Sequence, residues 1–394
     1  MKVDREIERD MNKEVLPKEP DNTYAISLLE TGRDAFPEII RQIRSARQEI
    51  MVHMFIWRED RIGLRIAEEL LKAADRGVSI VIEKDRYGLL LEYAEESQRS
   101  FCHTPDHLER IQIKALCLSD NRELFGKHLH TERSELYKKL KEHPNVLMQD
   151  NRKTKDHSKY YIFDRQIMIL GGINIEDKEY YSDSRDRIYF DYMVKISDAK
   201  IVSRFLEKRE NPEKKDDLFR LNTKEPVRCF ELKESFLELI NEAERELTIM
   251  MAYFAPEKEI ISAIYRYLER GVNVRVLISK SSNYMDNTNK YTVTKLLSRK
   301  HNSGKLSVFM TDYMLHAKLV MNEKRIITGS CNINKKAFIT LGELCVAVNN
   351  DDSTFASQVR ESTEALFRSS AQINDSNDIS FNRFMAAVEI LIMR

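Results

Sequence analysis

Residues 154–177 read TKDHSKYYIFDRQIMILGGINIED. His157 and Lys159 stand two apart at the head of an apolar run that closes on a Gly-Gly pair. In an extended chain, residues i and i+2 point to the same side. His157 and Lys159 therefore share one face and Ser158 takes the other, so two polar heads are aimed together from the start of a buried strand. Residues 314–334, MLHAKLVMNEKRIITGSCNIN, repeat the arrangement. His316 and Lys318 correspond to His157 and Lys159, and Gly329, Ser330 and Asn332 correspond to Gly171, Gly172 and Asn174. In a chain with nine histidines, one HxK carries little information. Two copies, each followed by an apolar strand, a polar turn, a second strand and a G-x-x-N element, are specific. The second copy is one residue shorter between its lysine and its glycine. This leaves Asn322 or Glu323 at the turn that Asp164 occupies in the first copy.

The repetition extends outward from these motifs. Residues 36–85 (FPEIIRQIRSARQEIMVHMFIWREDRIGLRIAEELLKAADRGVSIVIEKD) and 236–280 (FLELINEAERELTIMMAYFAPEKEIISAIYRYLERGVNVRVLISK) both read as helix, strand, loop, helix, Arg-Gly-Val, strand. Gly77 and Gly271 fall just past amphipathic helices, where a residue of positive φ ends a helix. VSIVIE and VNVRVLIS are apolar enough for inner strands. An α/β chain of two similar lobes about a pseudo-twofold axis follows, with the site at the lobe interface. A polar stretch, RENPEKKDDLFR (209–220), separates the copies. The expected division is a polar arm over 1–20, a first lobe over 21–212 and a second over 213–394. An insertion at about 89–148 has no counterpart in the second lobe.

With 394 residues, 42% of them hydrophobic, and only 11 Gly and 8 Pro, the chain has the composition of a packed globular protein. Its 64 basic and 64 acidic residues cancel, which argues against a general nucleic-acid binder, and no nucleic-acid partner is expected. The five cysteines are scattered, without a CxxC, and read as free thiols of a reducing compartment. The first twenty residues lack the apolar core of a signal peptide, and no run of about 18 apolar residues occurs. The expectation is a cytoplasmic chain.

Two His–Lys–Asn sets from two lobes suit a phosphodiester. Lysines and asparagines hold the non-bridging oxygens as charge accumulates there. One imidazole attacks phosphorus to form a phosphohistidine. The other, protonated, donates to the leaving oxygen and later deprotonates the incoming alcohol or water. Lysine and asparagine supply the charge stabilisation, so neither metal nor cofactor is expected. The duplicated pattern resembles the phospholipase D superfamily, and more closely its bacterial cardiolipin synthase branch. FIWREDRIGLRIAEELLKAADRGVSI, GGINIEDKEY, MAYFAPEKEIISAIYRYLERGVNVRVLI and MLHAK carry the likeness, from about Leu28 to about Val348. The resemblance implies α/β/α sandwich lobes with mixed sheets. It also implies a phosphatidyltransferase that passes a phosphatidyl group through phosphohistidine to phosphatidylglycerol or another alcohol. Alternatives within the superfamily are a phospholipase D releasing phosphatidic acid and a metal-independent phosphodiesterase or nuclease. His157 is then the nucleophile and His316 the general acid, or the reverse.

The resemblance also implies an acidic residue downstream of each histidine that fixes its tautomer. The candidates are Asp191, 34 residues after His157, and Glu343, 27 after His316. Asp164 takes a structural part at a strand end. Ser330, Tyr253 and Arg185 are the expected substrate contacts, Arg185 lying in YYSDSRDR (180–187). A phospholipid substrate without a transmembrane anchor implies peripheral contact with a membrane, at the inner face of the cell membrane. The 89–148 segment holds Cys102, His103, His107, His128, His130 and His143 without metal-ligand spacing. It reads as a lid or substrate-binding insertion, helical over 131–145. The closing stretch ISFNRFMAAVEILIMR (379–394) reads as an amphipathic helix packed on the second lobe in preference to lying in the membrane interface.

Overall fold

The computed structural model describes residues 25–94, 99–119, 132–180, 189–299 and 304–392. The expected N-terminal arm, His128, His130 and Arg185 lie outside the described residues. The first lobe runs β1 (Ile26–Glu30), α1 (Thr31–Ser45), β2 (Glu49–Met54), α2 (Arg61–Asp75) and β3 (Ser79–Lys84). Then follow α3 (Leu89–Ala94), α4 (His107–Ser119), α5 (Glu135–Glu142) and β4 (Val146–Gln149). It closes with β5 (Tyr160–Phe163), β6 (Ile167–Gly171), β7 (Tyr192–Ile196) and α6 (Ala199–Glu210). The second lobe runs β8 (Phe219–Thr223), β9 (Cys229–Phe230), α7 (Leu232–Glu242), β10 (Glu246–Met251), α8 (Lys258–Glu269) and β11 (Asn273–Ser279). It continues through α9 (Asp286–Leu297), β12 (Leu306–Thr311), β13 (Lys318–Asn322), β14 (Arg325–Gly329), α10 (Lys335–Ile339) and β15 (Glu343–Asn349). Last come α11 (Thr354–Ser369), β16 (Ala371–Ile373) and α12 (Arg383–Ile392).

The sheet orders are β1-β7-β6-β5-β2-β3-β4 and β16-β12-β11-β10-β13-β14-β15-β8-β9. Apart from β9 and β16 at the edges, the second order repeats the first, strand for strand. In both sheets the helix-connected strands pair in parallel, β2 with β3 and β10 with β11, and the hairpin strands pair antiparallel. Gly77 (φ 93°) and Gly271 (φ 92°) end α2 and α8 in the left-handed region.

Alternation along the strands builds the core. Tyr161 and Phe163 of β5 enter the cluster under α1 and α2, while Tyr160 and Ile162 enter a central cluster. Leu319 and Met321 of β13 reach the same central cluster from the other lobe, and Val320 turns outward to α7 and α8. The central cluster thus takes side chains from both sheets, with Phe205 of α6 and Phe355 and Val359 of α11. The two lobes share this core and cannot be parted without exposing it.

The motif turns are stapled by carboxylates. Asp164 accepts the backbone N–H groups of Arg47, Gln48 and Glu49 at 2.9, 2.8 and 3.0 Å. In the second lobe Glu323 accepts that of Glu244 at 2.7 Å, while Asn322 caps its own turn through Lys324 and Arg325. Glu323 is therefore the counterpart of Asp164, five residues past the lysine in each lobe, and the missing residue falls after the turn. The α12 helix lies against α9, where the Glu389 carboxylate accepts from Asn287 Nδ2 and from the N–H and hydroxyl of Thr288, each at 2.8 Å.

Candidate active site

Both histidines sit on extended lead-ins ahead of β5 and β13, and each lead-in pairs with the opposite half of the motif system. Asp156 bridges to Gly342 and Leu315 to Phe190. The N–H of His157 donates to Gly342 O, and that of His316 to Phe190 O, both at 2.7 Å. Gly342 and Phe190 immediately precede Glu343 and Asp191, so these bridges carry each carboxylate to the other motif's histidine. His157 Nδ1 lies 3.1 and 3.0 Å from the two oxygens of Glu343, and His316 Nδ1 lies 2.8 Å from Asp191 Oδ2. The resemblance implies the downstream carboxylate for each histidine, Asp191 for His157 and Glu343 for His316, and the structure exchanges the two. The backbone bridges impose the exchanged pairing, because chain proximity does not govern which strand ends meet.

His157, Asn174, His316 and Asn332 line one cleft of about 510 Å³, with Phe55, Ile56, Leu90, Leu91 and Leu116 among its apolar walls. Tyr253 also lines it, donating its hydroxyl to Asn283 at 2.9 Å and its N–H to Asn332 Oδ1 at 3.2 Å. Lys159 and Lys318 lie behind the histidines. Lys159 Nζ donates to His157 O at 2.6 Å, and Lys318 Nζ donates to Asp191 Oδ2 at 3.0 Å and to His316 O. Ser330 is fully buried and spends its hydroxyl on Glu343, so it supports the carboxylate and does not face the cleft. Its counterpart is Gly172, where a Cβ would stand 2.1 Å from Asp191 Oδ2. A shorter carboxylate thus demands a glycine at the place where a longer one meets a serine.

Burial sets the charge states, and it acts differently on the two histidines. Desolvation, reinforced by Lys159 and Lys318, holds His157 well below the usual imidazole value. Desolvation also pushes Glu343 up to about 8 against the pull of Lys159 and the Ser330 hydroxyl. On the other side, burial and then Lys318 bring His316 down to about 4, opposed by Asp191. Burial opposes the ionisation of Asp191, but Lys318 and His316 prevail and hold it below its usual value. Burial alone accounts for most of the fall of Lys159 to about 7.

Reading the motifs did not single out Glu179, whose carboxyl is completely buried, has no hydrogen-bond partner among the described residues and lies 3.6 Å from His316 Nδ1. Desolvation, then the charges of Glu176 and Asp191, hold it well above the usual carboxylate range. Its counterpart five residues past Asn332 is Ala337, so it too distinguishes the lobes. Only the repeat comparison carries that signal in the sequence. Among the described residues no three histidine, cysteine, aspartate or glutamate side chains converge as a metal site. No helix among them is long and apolar enough to cross a membrane.

The profile of the family described as cardiolipin synthase, PLD-like domain (PLD, phospholipase D), matches residues 39–211 and 236–367. Cardiolipin synthase B of Salmonella typhi is 26% identical over 277 residues, 64% of this chain and 59% of that protein. The chain thus matches about three fifths of that relative's length. Cardiolipin synthase A of Pseudomonas syringae pv. syringae is 25% identical over 379 residues, 89% of this chain and 70% of that protein. Phosphatidylserine synthase of Haemophilus influenzae Rd KW20 superposes with a TM-score of 0.67 at 12% identity, covering 94% of this chain and 95% of its own. Polyphosphate kinase from Porphyromonas gingivalis gives 0.54 at 12% identity, covering 93% and 52%. At these identities the structural likeness is one of fold.

Proposed function

The chain belongs to the cardiolipin synthase, PLD-like domain family, and from that premise we propose that it is a phosphatidyltransferase working through a phosphohistidine. The observation that carries this reading is the convergence of His157 and His316 on one cleft, each backed by a carboxyl group from the other motif. Low basicity keeps His157 neutral, and Glu343, when ionised, accepts the Nδ1 proton and so leaves Nε2 as the nucleophilic nitrogen. His316 leans on an ionised carboxylate, which favours the imidazolium needed to protonate a leaving oxygen. These unequal surroundings support His157 as nucleophile and His316 as acid.

In the first step His157 Nε2 bonds to phosphorus, the phosphorus–oxygen bond to the leaving alcohol breaks, and that oxygen takes the proton of His316. In the second, His316 accepts the proton of the incoming hydroxyl, the new oxygen–phosphorus bond forms and the phosphorus–nitrogen bond breaks. A phosphodiester anion in the cleft favours the charged forms of Lys159 and His316, which desolvation otherwise suppresses. Transfer to phosphatidylglycerol or another alcohol is the proposed outcome, with a phospholipid as donor and peripheral contact with the inner face of the cell membrane.

Purified protein given labelled phosphatidylglycerol is expected to yield cardiolipin by mass spectrometry. The His157→Ala and His316→Ala variants should each lose at least about a thousandfold in rate. Cardiolipin formed at near wild-type rate by either variant overturns the assigned roles. Phosphatidic acid as the sole product makes water the acceptor.

A further inference from the structure

At one end of the catalytic cleft, the ammonium groups of Lys155 and Lys336 both lie over the ring of Tyr87, 5.4 and 5.2 Å from its centre. Lys336 also donates to the Tyr87 hydroxyl at 2.8 Å. All three line the cleft that holds His157. One aromatic ring separates them from the reacting histidine: Phe55 packs 4.7 Å from His157 and 6.4 Å from Tyr87, centre to centre. Both lysines are half-buried, and among the described residues neither has a carboxylate within ion-pair distance. Two like charges gathered on one ring, without a counterion, are unfavourable unless an anion joins them.

The internal repeat shows how the charge arose. Lys178, the counterpart of Lys336, lies over the ring of Tyr189 at 4.8 Å but is neutralised by Glu176 at 3.3 Å. Where the first lobe has Glu176 the second has Asn334, whose side chain accepts the N–H of Ala337 instead. Two residues ahead of its histidine the second lobe has the fully buried, uncharged Met314, where the first has Lys155. Each departure from the repeat adds positive charge at the Tyr87 end.

The backbone of Lys155 supplies separate support. Its φ of 58° is left-handed, which a lysine rarely adopts. The conformation is held from both sides: Gly342 N–H donates to Lys155 O at 2.9 Å, and Asp156 N–H to Asp85 Oδ2 at 2.8 Å. Strain enforced in this way at a cleft wall points to function.

We propose that Tyr87, Lys155 and Lys336 form a second anion subsite, taking a phosphate that the substrate carries in addition to the phosphorus that reacts. The ligand class is an alcohol that itself bears a phosphate, as the headgroup of a glycerophospholipid does. This rests on the phosphatidyltransferase reading and adds what selects the alcohol. The wild-type protein and the Lys155→Met, Lys336→Met and double variants are given one short-chain phosphatidylcholine as donor. Glycerol then competes against either glycerol 3-phosphate or short-chain phosphatidylglycerol as acceptor. The ratio of the two products is read within one mixture, so it does not depend on how much of a variant is folded. The double variant should lower the ratio of phosphate-bearing to neutral product by roughly tenfold or more, with each single variant between. A fall with both phosphate-bearing acceptors means that the phosphate alone is recognised. A fall with phosphatidylglycerol alone means that it is recognised as part of a lipid. An unchanged ratio with both acceptors overturns the subsite and leaves the transferase reading standing. A wild-type protein that transfers to no acceptor overturns the transferase reading and the subsite with it.

Discussion

Lys159 is 1% exposed, and desolvation holds it at about 7, so the charge behind His157 depends on pH in the neutral range. The sign is that of a cation with a lowered pKa: the ammonium is present below about 7 and is lost as pH rises through it. If that charge stabilises the transition state, kcat/KM on a soluble phosphodiester should fall on the alkaline side from about pH 7. A guanidinium stays charged throughout this range. Lys159→Arg, though slower because its shape differs, should therefore lack the alkaline limb. Rate profiles between pH 5.5 and 9 check this, and the same limb in both proteins would assign it to another group. The HxK spacing identified His157, Lys159, His316 and Lys318 as a set, because side-chain direction along an extended chain is a local property. The protonation states were not legible in this way, since they follow from burial and from charges contributed by the other lobe.

Among the elements, α4 has two apolar faces. Ile113 and Cys117 pack against α3, while Leu108 (69% exposed), Ile111 (53% exposed) and Ala115 form an outward stripe beside exposed Arg110 and Lys114. Gln112, Ala115 and Leu116 of the same helix line the cleft, so the outward stripe lies beside the cleft mouth, where the proposed lipid substrate would enter. An exposed apolar stripe flanked by cations suits an anionic bilayer surface. Leu108→Ser/Ile111→Ser should weaken sedimentation with anionic vesicles by roughly tenfold, as expected for partial burial of two aliphatic side chains. Equal sedimentation of variant and parent would place the membrane contact elsewhere. The 89–148 insertion was visible as a segment lacking a repeat partner, and 131–145 as helical, where α5 lies. Which side of α4 faces outward depends on how it packs against α3, and spacing along the chain does not report that.

For the whole molecule, the central cluster joins side chains of both sheets, and each active-site histidine takes its carboxyl partner from the other motif. Separating the lobes exposes that cluster and breaks both His–carboxyl pairs, so the lobes should unfold together. Trp57, the single tryptophan, is fully buried in the first lobe. Its fluorescence reports that lobe, and far-UV circular dichroism reports both. The two urea transitions are expected to coincide within error. A fluorescence transition clearly earlier or later than the dichroism transition would show that the lobes unfold independently.

The sequence alone determined the two-lobed α/β fold and the repeated motif with its paired histidines and lysines, because each is written in spacing along one strand or one repeat. The tertiary structure decided which carboxylate meets which histidine, that Glu323 matches Asp164, and that Ser330 faces inward. It also brought out Glu179 and the lysines on Tyr87. Those depend on segments separated along the chain being folded against one another, the two His–carboxyl pairs by more than a hundred residues, and on the desolvation that follows. A chain read in one dimension carries neither.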